Sequence, residues 1–283
     1  MIFWIASYPK SGNTWLRALI SSYFYSTDGV YDEKLLKKID QFPVRKYFKN
    51  FDYNKRVVAD TTKLWIKAQE KINIDKKLKF FKTHNVFGKV NGYDFTNPEN
   101  SIGGIYIVRD PRNVITSIKN HYFLNDDKAI KWMTDRNNFI YDVERVKDVG
   151  YGDFQFISSW DVNYQSWKVQ KKLPLKFIKY EDLTNKTHLV FSEIIQFIYK
   201  ITNNAGKIDK TKLKNALNST TFEKLKINEE KFGFSEAVSF VGSKKAKFFN
   251  LGPENNWKKL LNEKIKIKIN DIFEKNLKEL SYK

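Results

Sequence analysis

The chain has 283 residues, of which 41% are hydrophobic and 16% aromatic, a composition that supports a large folded core and argues against global disorder. Lysine and arginine number 51 against 32 aspartates and glutamates, which gives a formal net charge of +19 at pH 7. A positive field attracts anions such as nucleotides and acidic glycans, and it does not indicate which of them the protein binds. The absence of cysteine excludes disulfides and thiolate metal sites. No apolar run reaches about 18 residues, so no membrane-spanning helix is predicted.

The apolar N-terminal residues carry no basic leader and run directly into a polar turn. Cleavage of a leader there would remove the turn. Together with the lack of cysteine, which suits a reducing compartment, this predicts a cytoplasmic protein. No repeat, low-complexity linker or compositional boundary divides the sequence, so we expect a single domain over residues 1–283.

Four short apolar runs predict strands, and each ends in a cluster of polar residues. The runs are "IFWIA" at 2–6, "LKFF" at 78–81, "GGIYIV" at 103–108 and "LPLKFI" at 173–178. Apolar residues at helical spacing predict helices that begin near residues 14, 113 and 188, and further helices over 59–72 and 262–280. The rest of 28–78 reads as helix and loop, and 228–256 reads as loop. This alternation predicts a central parallel sheet in a three-layer α/β sandwich.

The four strand ends bring chemically useful side chains to one place. Lys10, His84, Arg109 with Arg112, and Tyr180 each follow a predicted strand. Ligands of open parallel sheets bind outside the carboxyl ends of the strands. The sequence therefore predicts a site for an anionic ligand, with one candidate general base.

The turn "YPKSGNTW", residues 8–15, has the features of a phosphate-binding turn. A strand that turns into a helix N-terminus offers backbone N–H groups and the positive end of the helix dipole to an anion. Gly12 permits close approach, Ser11 and Thr14 carry hydroxyl donors, and Lys10 supplies a charge. The spacing is not that of the nucleoside-triphosphate loop, which argues against an ATP- or GTP-hydrolysing enzyme. An ordinary strand-to-helix turn is the alternative interpretation.

"YPKSGNTW" resembles the 5′-phosphosulfate loop of the cytosolic-type sulfotransferases, with Asn13 where the family has threonine. "FFKTHNVF", "IYIVRDPRNVITSIKNHY", "SSW", "WKVQ", "FIKYEDL", "TTFEKLK" and "GPENNWKK" follow in the order of the family's segments. The resemblance runs from Tyr8 to Trp257. It implies a P-loop-like phosphosulfate-binding turn and transfer of a sulfuryl group from 3′-phosphoadenosine 5′-phosphosulfate (PAPS) to an acceptor hydroxyl or amine. The product nucleotide would be 3′-phosphoadenosine 5′-phosphate (PAP), and no metal is implied.

The resemblance also implies catalytic roles. In-line displacement at a tetrahedral centre depends on positioning and charge stabilisation. Lys10 would stabilise the charge that grows on the leaving phosphate, and Lys82 would contact the transferring group. His84, whose ordinary pKa is near 6.5, suits a general base. The other histidines, His121 and His188, lack the family context and read as helix-surface or partly buried residues.

Nucleotide binding is implied for a larger set of residues. Arg109 and, eight residues later, Ser117 would hold the 3′-phosphate, whereas Arg112 is equally well explained as a surface salt-bridge partner of a nearby acid. Ser117 also belongs with the catalytic candidates. The 5′-phosphosulfate would lie on Lys10, Ser11, Gly12, Asn13 and Thr14. The residues implied to surround the adenine are Trp15, Tyr180, Thr220 and Phe222.

The match to the family fails in one place. The family carries an Arg-Lys-Gly segment that binds the 3′-phosphate, and here Asn250 and Leu251 precede Gly252. The loss of two charge-assisted bonds would weaken the free energy of donor binding by about 1.5–3 kcal/mol for each bond. Upstream lysines that would compensate are Lys244, Lys245 and Lys247. The family's C-terminal dimer motif is not evident either, so the sequence does not specify an oligomeric state.

Two alternatives belong to other functional classes. A non-catalytic protein that binds a polyanion or nucleotide on this fold would explain the charge and the missing Arg-Lys pair, whereas Lys10 and His84 together favour an enzyme. A nucleotide kinase lacks the required loop. The expected acceptor is a small molecule, a glycan or a lipid rather than nucleic acid, and its pocket is expected within the loops of 28–78 and 124–156, the latter as a lid.

Overall fold

The computed structural model describes residues 1–237 and 247–282. Its strands, in chain order, are β1 Ile2–Ser7, β2 Asp40–Gln41, β3 Lys79–Thr83, β4 Lys89–Val90, β5 Tyr93–Asp94, β6 Ser101–Val108, β7 Phe139–Ile140, β8 Gln155–Phe156 and β9 Leu175–Lys179. Its α-helices are α1 Asn13–Tyr25, α2 Glu33–Leu36, α3 Trp65–Ile72, α4 Pro111–Tyr122, α5 Asp126–Thr134, α6 Val146–Val149, α7 Trp160–Val169, α8 Tyr180–Asn185, α9 Thr187–Ile201, α10 Lys210–Ser219, α11 Phe222–Phe232, α12 Trp257–Leu260 and α13 Glu263–Glu279. Short 3₁₀ helices cover Arg45–Phe48, Asp60–Leu64 and Gly252–Glu254.

Five strands form a parallel sheet in the order β2-β3-β1-β6-β9. The predicted α/β fold with a central parallel sheet is confirmed, and the four predicted strands are β1, β3, β6 and β9. The chain places β3 on one side of β1 and β6 on the other, so the strand order reverses between β1 and β6. A crevice forms at such a switch point, next to the carboxyl ends of the strands.

Both faces of the sheet are covered by apolar side chains. Because successive residues of a strand point to opposite faces, Phe3 and Ile5 pack with α1 and α9 on one side. Trp4 and Ala6 belong to the core cluster on the other side, which includes residues of α3, α4, α7 and α13. Burial on both faces is the usual condition of a parallel sheet and explains the near-continuous apolar runs of its strands.

Three sequence-based expectations differ from the structure. The fifth strand, β2, was not predicted because it has only two residues and lies in a segment of mixed polarity. The segment 59–72 forms a 3₁₀ turn followed by the shorter helix α3 rather than one continuous helix. The prediction of loop over 228–256 is wrong at its start, because α11 continues to Phe232.

Candidate active site

The turn after β1 has a conformation that requires glycine at one position. Gly12 has φ +96°, in the left-handed region, and a Cβ there would lie 2.4 Å from the ring of Tyr180. Lys10 also has a positive φ, 65°. The turn leads into the N-terminus of α1, and Lys10, Gly12 and Thr14 line a large cavity there.

Two residues of the turn, Asn13 and Ser11, are buried. Asn13, which stands where the family has threonine, donates from Nδ2 to the Ile5 carbonyl at 3.0 Å and to Ser7 Oγ at 3.2 Å. These bonds tie the first residue of α1 to the end of β1. Ser11 is buried, and its hydroxyl has no hydrogen-bond partner in the described part of the chain.

A cluster of cations lies beside the turn. Lys82, near the end of β3, and Arg17, one turn into α1, have side chains that are 10% and 5% exposed. Both pair with one carboxylate oxygen of Glu236, at 3.1 and 2.6 Å respectively. Thr14 Oγ1 donates to the other oxygen at 2.9 Å. Sequence reasoning missed Arg17 and Glu236, because nothing in the sequence pattern brings residues 17 and 236 together.

Lys10 extends over the ring of Phe248, with Nζ 3.8 Å from the ring centroid. Its Nζ also lies 3.4 Å from His121 Nδ1. Burial, aided by the nearby charges of Lys82 and Arg109 and opposed by Glu236, lowers the pKa of Lys10 to about 7. His121 lines the cavity, so the expectation that it lies outside the site is wrong. The signal available was its position one helical turn after Ser117, on the same face of α4.

His84 follows β3 and lines the same cavity. Its Nδ1 lies 2.8 Å from the Ser7 carbonyl oxygen, and its backbone N–H donates to Gln155 Oε1 at 3.1 Å. A carbonyl oxygen only accepts, so Nδ1 carries the proton in this bond and Nε2 keeps its lone pair. Burial, together with the charge of Lys82, lowers the pKa of His84 to about 3. The imidazole is therefore neutral near pH 7.

Arg109, which follows β6, contacts both the turn after β1 and the helix α4. Its Nη1 lies 3.2 Å from the Lys10 carbonyl oxygen and 3.4 Å from Ser117 Oγ, and its guanidinium stacks on the Tyr180 ring at 4.2 Å. Its Nε is buried and has no hydrogen-bond partner among residues 1–237 and 247–282. Arg109, Ser117 and Tyr180 thus come together at the cavity wall, as the sequence predicts.

Arg112 differs from Arg109 in its surroundings. It forms a buried ion pair with Asp110, with Nη2 to Oδ2 at 2.8 Å, and stacks on Trp257. Arg112 therefore pairs with an acid, as one of its two interpretations expects, but the pair is buried and not on the surface.

The candidate adenine residues are in two different environments. Trp15, Tyr180 and Phe222 line the cavity. Thr220 is fully buried, its hydroxyl donates to the Ala216 carbonyl, and its own carbonyl accepts from Trp15 Nε1 at 2.9 Å. The backbone carbonyl of Thr220 therefore holds Trp15, while its side chain bonds back to α10 and Thr220 is not among the lining residues of the cavity.

The segment that lacks the Arg-Lys pair also reaches the cavity. Asn250, Leu251 and Gly252 line it, and a Cβ on Gly252 would lie 2.4 Å from the Phe222 ring. Asn255 donates to Ser117 Oγ at 2.9 Å and was missed from the sequence. Of the three lysines expected to compensate, Lys244 and Lys245 lie outside the described residues. The third, Lys247, pairs on the surface with Glu230 at 3.2 Å.

The cavity has a volume of about 1400 Å³ and continues beyond His84 into an aromatic region. Gln41, Val44, Arg45 and Lys46 line it from the 28–78 segment. From the 124–156 segment, the lining residues include Trp132, Phe139, Ile140, Tyr141, Val143 and Gln155. Arg45 pairs with Asp142 and Asp153 at this end. Residues of both segments in which the acceptor pocket is expected, 28–78 and 124–156, thus line the cavity.

A family model for the sulfotransferase domain matches residues 2–281. The chain belongs to the sulfotransferase family. The family predicted from the collinear motifs is therefore confirmed.

Known proteins similar to this sulfotransferase are distant in sequence. A luciferin sulfotransferase of Photinus pyralis is 24% identical over 98% of this chain and 72% of its own length. A flavonol sulfotransferase-like protein of Flaveria bidentis is 24% identical over 96% of this chain and 80% of its own. These relatives extend the similarity over nearly the whole sulfotransferase chain.

Solved structures share the fold of this sulfotransferase at 15% identity. Retinol dehydratase in complex with retinol and PAP has a TM-score of 0.61 and is covered over 81% of its chain. A mouse sulfotransferase in complex with PAP has a TM-score of 0.57 and is covered over 84%. Each comparison covers 98% of this chain.

No group of three or more histidine, aspartate or glutamate side chains with a geometry suited to a metal ion occurs among residues 1–237 and 247–282. No helix within those ranges is both long and apolar enough to cross a membrane.

Proposed function

We propose that this protein transfers a sulfuryl group from PAPS to an acceptor hydroxyl or amine, with His84 as general base and Lys10 stabilising the leaving phosphate. The observation that carries the proposal is the neighbourhood of His84. Its Nδ1 lies 2.8 Å from the Ser7 carbonyl oxygen, which leaves the lone pair on Nε2 to accept a proton, and Lys82 lies two residues earlier, in β3. A general base and a cation for the reacting group are then close together.

The donor set of the cavity fits the nucleotide. Ser11 Oγ and Arg109 Nε are buried polar atoms without a partner among the described residues, and both belong to segments that the family resemblance assigns to the donor. We propose that the 5′-phosphosulfate lies on the N-terminus of α1 with Lys10 and Thr14. The 3′-phosphate would lie on Arg109 and Ser117, and the adenine between Trp15, Tyr180 and Phe222.

Asn250 and Leu251 leave the 3′-phosphate with fewer cations than in the family. Asn255 donates to Ser117 Oγ and to the Asn113 carbonyl, so it holds the neutral hydroxyl of Ser117 at that end of the site. Neutral hydrogen bonds are weaker than charge-assisted ones. We therefore expect the 3′-phosphate to contribute less to donor affinity here than a pair of cations would provide.

The acidity of His84 bears on its proposed role. A base with a pKa of about 3 is weak near pH 7, since the best base titrates near the working pH. The anionic donor would offset the charges of Lys82 and Arg17, which contribute to the lowered pKa of His84 after burial itself. Binding of the donor would therefore raise the pKa of His84 toward its ordinary value while the bond to Ser7 keeps Nε2 directed at the acceptor.

The acceptor side of the cavity is aromatic, with Trp132, Phe139 and Tyr141. Aromatic walls bind flat apolar groups and leave polar substituents to a few specific donors. Retinol dehydratase, one of the structural neighbours, was crystallised with retinol and, in a second structure, with androsterone. We propose a small apolar acceptor that carries a hydroxyl or amine.

The test combines nucleotide binding with turnover. Titration calorimetry should detect PAP binding to the wild type and its loss in Lys10→Ala. His84→Asn keeps an N–H near the Nδ1 position but lacks a base at Nε2. We expect it to bind PAP like the wild type and to lose at least about 100-fold in transfer from labelled PAPS.

The possible failures are informative. Unchanged turnover in His84→Asn would remove His84 as the base. Absence of PAP binding by the wild type would contradict the enzyme proposal, and the polyanion-binding alternative would then replace it.

A further inference from the structure

Glu236 occupies an anion-binding position within the cavity. Its two carboxylate oxygens accept from Arg17, Lys82 and Thr14 at 2.6, 3.1 and 2.9 Å. These three donors come from α1 and from the end of β3, whereas Glu236 lies four residues beyond the end of α11. A carboxylate with two cations and a hydroxyl around it has the same recognition chemistry as one edge of a phosphate or sulfonate group.

Two of the three donors, Arg17 and Thr14, are held in place independently of Glu236. Arg17 Nη2 donates to the Ile39 carbonyl at 3.0 Å and to the Leu36 carbonyl at 3.4 Å, so the guanidinium stays fixed through backbone groups of another segment. Thr14 is held in the first turn of α1. The donors are therefore preorganised to receive an anion.

The same position is required by the donor substrate. Thr14 and Lys82 belong to the strand end and turn that the proposed function assigns to the phosphosulfate. One set of N–H and O–H groups cannot serve two anions at once, and two anions in a partly buried site repel each other strongly. Burial would raise the pKa of Glu236, but Lys82 and Arg17 hold it well below its usual value. The carboxylate therefore stays charged near neutral pH.

We propose that Glu236 is an internal occupant of the phosphosulfate subsite and that PAPS binds by displacing its carboxylate from Arg17, Lys82 and Thr14. Arg17 then becomes a ligand of the donor's anionic end. This inference rests on the proposed function. Donor binding and release of Glu236 form one equilibrium, so the apparent dissociation constant of PAPS is its intrinsic value divided by the fraction of molecules in which the cluster is free of Glu236.

The test is equilibrium binding of PAPS, measured by calorimetry without acceptor, to the wild type, Glu236→Gln and Glu236→Ala. Removal of the competing charge should tighten binding by about tenfold in both variants. Glu274→Gln is the matched control, because it removes one negative charge from the exposed pair with Lys278 on α13. We expect Glu274→Gln to bind PAPS with the wild-type affinity.

The outcomes separate this inference from the proposed function. Wild-type binding of PAPS with no gain, or a loss, in folded Glu236→Gln and Glu236→Ala overturns the inference and leaves the proposed function intact. Binding by the Glu236 variants and none by the wild type supports the inference in its strongest form. Failure of every variant to bind PAPS overturns both.

Discussion

Lys10 combines an unusual backbone with an unusual charge environment. A left-handed φ is rare for a lysine and costs free energy, which the surrounding contacts must offset. Arg109 donates to its carbonyl, and Phe248 lies under its ammonium. The same close packing desolvates the ammonium and lowers the pKa of Lys10 to about 7. The charge of the Lys10 side chain therefore changes with pH near pH 7.

We predict that PAP affinity depends on pH through Lys10. An anionic ligand raises the pKa of the neighbouring ammonium, so the bound state holds more protons than the free state above about pH 7. Affinity should be unaffected by Lys10 below that pH and should weaken above it, by at most tenfold per pH unit. Calorimetric titrations of PAP between pH 6 and 9 would measure the change.

Lys10→Arg is the control for this pH profile, because its guanidinium stays protonated throughout. The phosphates of PAP titrate identically with both proteins. The neighbouring groups are Lys82, Arg109, Glu236, Glu229 and His121, and they are present in both proteins. Identical profiles for the two proteins would contradict the assignment to Lys10.

Helix α4 has both a local N-terminal cap and a tertiary contact with α13. Asp110 caps the helix by accepting from the Arg112 backbone N–H at 2.9 Å, and Pro111 occupies its first position. The same carboxylate pairs with the Arg112 side chain, which reaches Asn270 of α13 at 3.2 Å. The cap thus connects α4, which carries Ser117, to the last helix.

We predict that Asp110→Ala lowers the free energy of unfolding by about 3–5 kcal/mol, because it leaves the Arg112 guanidinium buried without its carboxylate. Urea denaturation would measure the change. Glu274→Ala, which breaks an exposed pair, should cause no measurable change. Equal small effects of the two substitutions would show that the Asp110 pair contributes little.

Charge acts over the whole protein. The formal charge of +19 is distributed along the chain, and many lysines lie on the surface, including Lys258, Lys259 and Lys264 near the C-terminus. Surface charges are screened within a few ångströms at high salt, whereas a buried cluster such as Lys82 with Arg17 is screened much less. Salt should therefore separate binding at the surface from binding in the cavity.

The single domain and the cytoplasmic location stay predictions.

We predict that PAP affinity falls by less than about tenfold between 50 and 300 mM NaCl, whereas heparin, a polyanion probe, loses about 100-fold or more. The reason is that heparin binding would depend on many exposed lysines. Calorimetry with each ligand at both salt concentrations measures the difference. Heparin that binds tightly at 300 mM NaCl and displaces PAP would favour the polyanion-binding alternative.

The family and the parallel sheet could be predicted from the sequence alone, and most of the site residues named from it line the cavity. Strand ends in a parallel sheet converge by geometry, so apolar runs followed by Lys10, His84 and Arg109 already indicated a shared site. The glycine at position 12 marked a backbone conformation that other residues rarely adopt, which is a local property and can be read from a turn.

Contacts between distant segments were decided only by the tertiary structure. Glu236 lies more than 200 residues from Arg17 and Thr14, and no periodicity links them. Thr220 was misjudged because its side chain direction depends on packing, and Arg112 was ambiguous because either a ligand or Asp110 would satisfy a guanidinium. The lowered pKa values of Lys10 and His84 have the same origin, since burial is a property of the assembled fold and not of the local sequence.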